Sequence, residues 1–126
     1  MAIEAGVVSF ALGLQKQQLE EMRLFKELFE TFNKRYDSQN EELNGVFRQS
    51  PEAPLTEREI DALFNYFNLC AEEYFYFKEG FIHAAVWQAW KNGMKYFRQN
   101  RRIKLRWDDE LQTDSYYGLN FDEKAG

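Results

Sequence analysis

One histidine, His83, and one cysteine, Cys70, stand among 126 residues, so any chemistry must rest on carboxylates, tyrosines and basic side chains. A carboxylate metal centre in a helical bundle needs several inward Glu residues and Glu-x-x-His pairs on facing helices. Gly80, not an acid, stands three residues before His83, which therefore reads as a solvated or helix-capping residue. Glu72 and Glu73 are adjacent, about 100° apart on a helix, and do not line one cavity together. Glu73 is the odder of the two, because Tyr66, Leu69 and Tyr76 share its face. Tyr66, Glu73 and Tyr76 form a candidate buried polar site in which tyrosine hydroxyls or an arginine hold the carboxylate; an acid working in a tyrosine-lined pocket is the catalytic alternative. The chain has no Gly-rich phosphate loop, no Ser or Cys nucleophile elbow and no Cys/His metal spacing. No catalytic, cofactor-binding or metal-ligating residue is assigned.

Charge is spread unevenly. Residues 91 to 106 hold seven basic side chains and no acid, residues 1 to 90 carry 15 acids against 8 basic residues, and residues 107 to 126 carry 6 against 1. Lys91, Lys95, Arg98 and Arg102 recur at spacings of four, three and four, which puts them on one helix face with Trp87 at its upper end. Such a stripe would neutralise phosphates, and the indole would stack a base. A chain of net charge −5 repels polyanions, however, and a charge run is ordinarily a solvated face or the partner of acids in the same fold. Trp87, Lys91, Lys95, Arg98 and Arg102 are thus a candidate ligand or partner stripe, with pairing to Glu72, Glu73 or the acidic tail expected and nucleic acid the alternative.

The elements that position these groups read as helices. The chain fits one domain, and 2 Pro, 7 Gly and few β-branched residues favour helix over sheet. Leu63 to Phe97 carries 12 of the 22 aromatic residues and joins two helical patterns through Gly80. Thr56 with Glu59 is a capping box after the proline-bearing loop Gln49 to Leu55. The helix it opens places Ile60, Leu63, Phe64, Phe67, Cys70, Ala71, Tyr74 and Phe75 on its apolar face and stops at Gly80. A third helix carries Val86, Trp90, Met94 and Phe97 on one stripe with Trp87 at its border. Gly93 lies inside that stripe and is expected to admit a bulky neighbour against the backbone. After Asn100, Ile103, Trp107 and Leu111 fit a short fourth helix. Tyr116, Tyr117, Leu119 and Phe121 are expected to dock the end of the chain, with residues 122–126 a loose acidic tail.

Upstream, Met22, Phe25, Phe29, Phe32, Tyr36, Gln39, Leu43 and Val46 follow at spacings of three and four, a heptad seam running to about Arg48. Ser38 and Glu41 would open a capping box after Asp37, but no hydrophobic staple accompanies it, so one long helix is expected. Its far end, Gln39, Leu43, Val46 and Phe47, is a candidate association seam for another protein or a second copy, because it is expected to outrun the hairpin. Residues 1–14 form a nearly uncharged leader. The apolar run within it is about half of the roughly 20 residues a bilayer span needs, so membrane contact by residues 5–14 is not expected. The lone cysteine, read as a buried thiol, points to a reducing, cytoplasmic setting.

Asn68-Leu69-Cys70-Ala71-Glu72-Glu73-Tyr74, Gly80, Trp87-x-x-Trp90-x-Asn92-Gly93-Met94 and Tyr116-Tyr117-Gly118 together resemble a family of small, uncharacterised bacterial helical proteins over roughly residues 20 to 121. The resemblance implies a bacterial source and an all-helical domain, and brings no activity. The expected molecule is an all-α single-domain bundle over residues 15–121, with a long amphipathic first helix, an aromatic-rich antiparallel hairpin and a short last helix. Its expected role is that of a non-enzymatic protein-interaction or regulatory module.

Overall fold

The structure, a computed structural model, describes residues 2–121, with side chains from residue 6 onward. Four helices follow one another: α1 (Ala2–Arg48), α2 (Glu57–Lys78), α3 (Ala84–Phe97) and α4 (Arg101–Leu111). The fold is all-α, as the residue supply requires.

α1 is one uninterrupted helix of 47 residues, about 70 Å long at 1.5 Å per residue. Asp37 does not break it. The Ser38 hydroxyl donates back to the Arg35 carbonyl at 2.7 Å, bonding inside the helix instead of capping a new one. The helix also begins well before Leu14, so no break marks the boundary expected there. The expected loose tail, residues 122–126, lies outside the described residues.

Both ends of α2 follow from local chemistry. The Glu59 N–H donates to the Thr56 hydroxyl at 3.1 Å and the Thr56 N–H to the Glu59 carboxylate at 3.0 Å, completing the capping box. At the other end Gly80 takes a φ of 88°, the Gly80 N–H bonds to Phe77 and the Phe81 N–H to Tyr76, the paired bonds of a Schellman stop. His83 then occupies the N-cap position of α3, without a capping bond from its side chain.

Ring contacts fix the packing directions. Phe32 meets Tyr76 and Tyr36 meets Tyr66, so α1 and α2 run antiparallel; Phe25 meets His83, Phe29 meets Trp90 and Phe47 meets Phe97, so α3 runs parallel to α1. α2 is the central element. Its Tyr66 ring touches Tyr36 of α1, Phe97 of α3 and Trp107 of α4. Covered on several sides, α2 buries a wider arc than expected: Leu63, Phe67, Cys70 and Ala71 are buried as expected, Tyr66, Leu69 and Glu73 join them, and Phe64 and Phe75 are exposed.

α3 buries Met94 and Phe97 of its expected stripe, but its first turns put Trp87 rather than Val86 and Trp90 deepest. It lies between α1 and α2, so Trp87 is buried against Tyr74 and stacked on Phe77 of α2, while Trp90, half-buried, stacks on Phe29 of α1. Asn100 caps α4 by accepting the Ile103 N–H at 3.2 Å. Ile103 and Trp107 then close the core, with Trp107 stacked on Phe67 at 4.6 Å. Tyr116 and Leu119 are buried, Phe121 packs on Trp107, and Tyr117 docks more shallowly, its ring on Phe75 of α2 but half exposed.

Candidate functional site

The basic stripe does not form. α3 ends at Phe97 and the chain turns through Arg98 to Asn100 before α4 begins, so the four cations do not share one helix. Arg98 donates to Asp108 at 2.7 Å and lies over the rings of Trp107 and Phe121. Arg102 is buried: Nη1 donates to the Val46 carbonyl at 3.0 Å, while Nη2 reaches the Pro54 carbonyl at 3.3 Å and the Glu59 carboxylate at 3.1 Å. Burial alone would raise the Glu59 carboxyl, but the Thr56 backbone N–H and the Arg102 charge outweigh it and hold Glu59 below the usual carboxylate range. With Trp87 in the core, half-buried Lys91 and exposed Lys95 are what remains of the stripe. Pairing inside the fold was expected, but with Glu72, Glu73 or the tail; the acids that answer are Asp108 and Glu59.

The association seam is closed at the end where it was expected to be open. Leu43 and Val46 are buried in the chain's own core, Phe47 stacks on Tyr96 at 4.8 Å, and Gln39 is half-buried. The reason is convergence. α4 and its cap reach this end of α1, where the Asn100 side chain donates to the Phe47 carbonyl at 3.1 Å beside the Arg102 bonds. The opposite end of the same helix lies open. Every residue from 6 to 24 is exposed, including Val7 at 64%, Phe10 at 69%, Leu14 at 46% and Met22 at 65%. The hairpin's end, Gly80 to His83, lies beside Met22 and Phe25, and α1 runs on past it. Val7, Ala11, Leu14 and Gln18 are spaced four, three and four, but the step from Gln18 to Met22 is again four, so a stutter separates this run from the heptad seam that Met22 and Phe25 begin.

The expected polar site is partly assembled. Glu73 is buried, at 5% exposure, and lines a cavity of about 260 Å³ together with Asn33, Tyr36, Tyr66, Ala89, Trp90 and Gly93. Tyr76 does not join it; its ring turns to Phe32, Phe75 and Phe81. Neither a tyrosine nor an arginine holds the carboxylate. Arg35 donates to Glu72 at 2.6 Å instead, and among the described residues no side chain hydrogen-bonds to Glu73. Burial pushes its carboxyl up to about 8, opposed by Arg35 and reinforced by Glu72. Cys70, beneath, is fully buried and its thiol is pushed up by the same cause, an inert thiol as expected.

Gly93 differs from its expectation. A Cβ built on it would meet nothing within 4 Å, so no bulky neighbour presses on the backbone; the missing side chain leaves part of the cavity wall open. A wider groove of about 710 Å³ lies between the end of α1 and the start of α2; Arg58 is paired with Glu42 and Arg102 with Glu59 there, and Glu41 alone of its charged lining has no ion pair among the described residues.

Among the described residues no group of acids, histidines and cysteines could hold a metal ion, and no helix is long and apolar enough to cross a membrane. No family model matches the chain, and neither a curated protein nor a solved structure matches it. Two features stand apart from the packed bundle: the uncovered arm of α1 and the cavity at Glu73.

Proposed function

We propose that this chain is a non-enzymatic helical association module, and that the arm of α1 pairs with the arm of a second copy. The observation that supports it is the arm itself: a run of large apolar side chains, each more than a third exposed, on the same helix that farther on packs against α2. A monomeric soluble protein rarely leaves so continuous an apolar surface to water. The lone buried thiol supports a reducing, cytoplasmic setting for it.

The orientation follows from the hairpin. Because Gly80 to His83 sits beside Met22 and Phe25, a parallel partner would bring its own hairpin to the same level and collide. An antiparallel partner places its bundle beyond the tip of the arm. In that register Val7 of one copy faces Met22 of the other, small Ala11 faces larger Gln18, and Leu14 lies near the two-fold axis. The paired seam is then about 22 Å long.

Light scattering of the intact chain is expected to give twice 15.1 kDa. Val7→Glu with Leu14→Glu is expected to return the single-chain mass with the bundle still folded and a thermal midpoint that no longer rises with protein concentration, since neither side chain touches the bundle core. A single-chain mass for the parent protein at the highest soluble concentration removes this reading.

A further inference from the structure

The cavity at Glu73 is built differently from every other polar site in the molecule. Its walls are aromatic, from Tyr36 on α1, Tyr66 on α2 and Trp90 on α3, and its one charged group is a carboxylate on a residue only 5% exposed, which reaches solvent through the cavity and has no hydrogen-bond partner among the described residues. An unpaired buried carboxylate is unfavourable unless something of opposite charge or a proton meets it. Glycine inside a helix is also unfavourable relative to alanine, and no atom near Gly93 requires it. Both local sacrifices concern the same space.

We propose that this cavity binds a small organic ammonium ion, with Glu73 as its counter-charge and Tyr36, Tyr66 and Trp90 as its aromatic walls. Rings flanking a carboxylate attract a cation through their negative faces, and the attraction is strongest where water is excluded. The volume fits the class. At about 30 Å³ for each water-sized group, 260 Å³ admits a ligand of about nine such groups. Exposed Ala89 and Gly93 on α3 form the mouth, where the side chains are smallest.

Several groups surround Glu73. Arg35 and Tyr36 face it from α1, and Tyr66, Cys70 and Glu72 accompany it on α2; α3 contributes Ala89, Trp90 and Gly93, which carry no charge, to the cavity. Arg35 is held by Glu72 at 2.6 Å, which keeps it from neutralising Glu73 by direct contact. The empty site therefore holds a proton near neutrality, and an entering cation displaces it to solvent. Glu73–COOH gives Glu73–COO⁻ paired with the ammonium, plus one H⁺.

The test uses the intact chain with two probes of the same shape, choline and its neutral carbon isostere 3,3-dimethylbutanol, followed through the Trp90 indole and Gly93 amide resonances. Choline is expected to bind with an affinity that falls about tenfold for each pH unit below the carboxyl's value of about 8, and to release a proton on binding. The isostere is expected to bind at least about tenfold more weakly, at all pH values alike. Glu73→Gln keeps the shape, removes the charge and is expected to give choline the isostere's weak, pH-independent behaviour. Gly93→Leu, which grows into open space, is expected to abolish the resonance shifts from both probes. The proposal is overturned if choline binds no better than the isostere, if Glu73→Gln binds choline unchanged, or if choline leaves both resonances where they were.

Discussion

Arg102 and Glu73 are withdrawn from water to nearly the same degree, at 7% and 5% exposure, and their surroundings meet them in opposite ways. Arg102 projects from α4 into the place where α1 ends, the proline loop passes and α2 begins, and each of those three supplies an oxygen. Glu73 projects from the middle of α2 toward α1 and α3, which offer it rings, an amide side chain and a glycine but no hydrogen bond among the described residues. Chain termini and loops have spare carbonyls, whereas the middles of helices have theirs engaged. A buried charge near helix ends is thus easily made structural. One buried between helix middles stays available.

The largest effect expected on the paired side of this contrast comes from Arg102→Ala, which leaves the Glu59 carboxylate without its cation and should cost about 3 to 5 kcal/mol in denaturant unfolding. A loss under about 1 kcal/mol would place Arg102 with the open cations and dissolve the contrast.

On the unpaired side, stability should depend on pH through Glu73. Its folded carboxyl titrates at about 8, above the ordinary carboxylate value of 4.5, so the folded state retains a proton that the unfolded chain has released. Stability from this group is fully present below about pH 4.5 and is lost at about 1.4 kcal/mol per pH unit until it titrates near 8. Glu73→Gln should flatten that slope. Unfolding curves at several pH values that run parallel in the two proteins would contradict it.

A smaller gain is expected from Gly93→Ala, about 1 kcal/mol of added stability, because the methyl group enters empty space and the helix loses its most flexible residue. A destabilised alanine variant would show that the space is not open. Smallest of all, Lys95→Glu should change the thermal midpoint by the equivalent of no more than about 0.5 kcal/mol, since this lysine is exposed and has no ion-pair partner among the described residues. Arg98→Glu, facing Asp108 at 2.7 Å, should destabilise clearly more.

What was legible in the sequence was what neighbouring residues decide among themselves. Thr56 and Glu59 form their capping box three residues apart, and Gly80 stops α2 where its own N–H bonds to Phe77 and the Phe81 N–H to Tyr76. Ile103, Trp107 and Leu111 fit one helical face; the alternation of Ile103, Leu105 and Trp107 also suits a strand, but the sequence offers no second strand to pair with it. The basic run misled because its spacing survives on paper across a turn: Asn100 caps a new helix between Arg98 and Arg102. Partners distant in the chain were out of reach. Glu59 and Arg102 stand 43 residues apart, and nothing in either one's neighbourhood names the other. Tyr66 and Glu73 were singled out together correctly, but Asn33, Tyr36 and Gly93 join them only through packing. The heptad seam was read in its period and misplaced in its free end, because which end stays uncovered depends on where α4 folds back.

Glu59 serves two structures at once: it accepts from the Thr56 N–H at the first turn of α2, and it holds the Arg102 guanidinium of α4. Neither attachment opens without weakening the other. Amide hydrogens in the first turn of α2 and in α4 should therefore exchange with solvent with one common opening free energy, as a single opening unit, even though 43 residues separate the pair that joins them. Acid that protonates Glu59 would release both together, and α4 would swing free of the bundle at the moment α2 begins to fray.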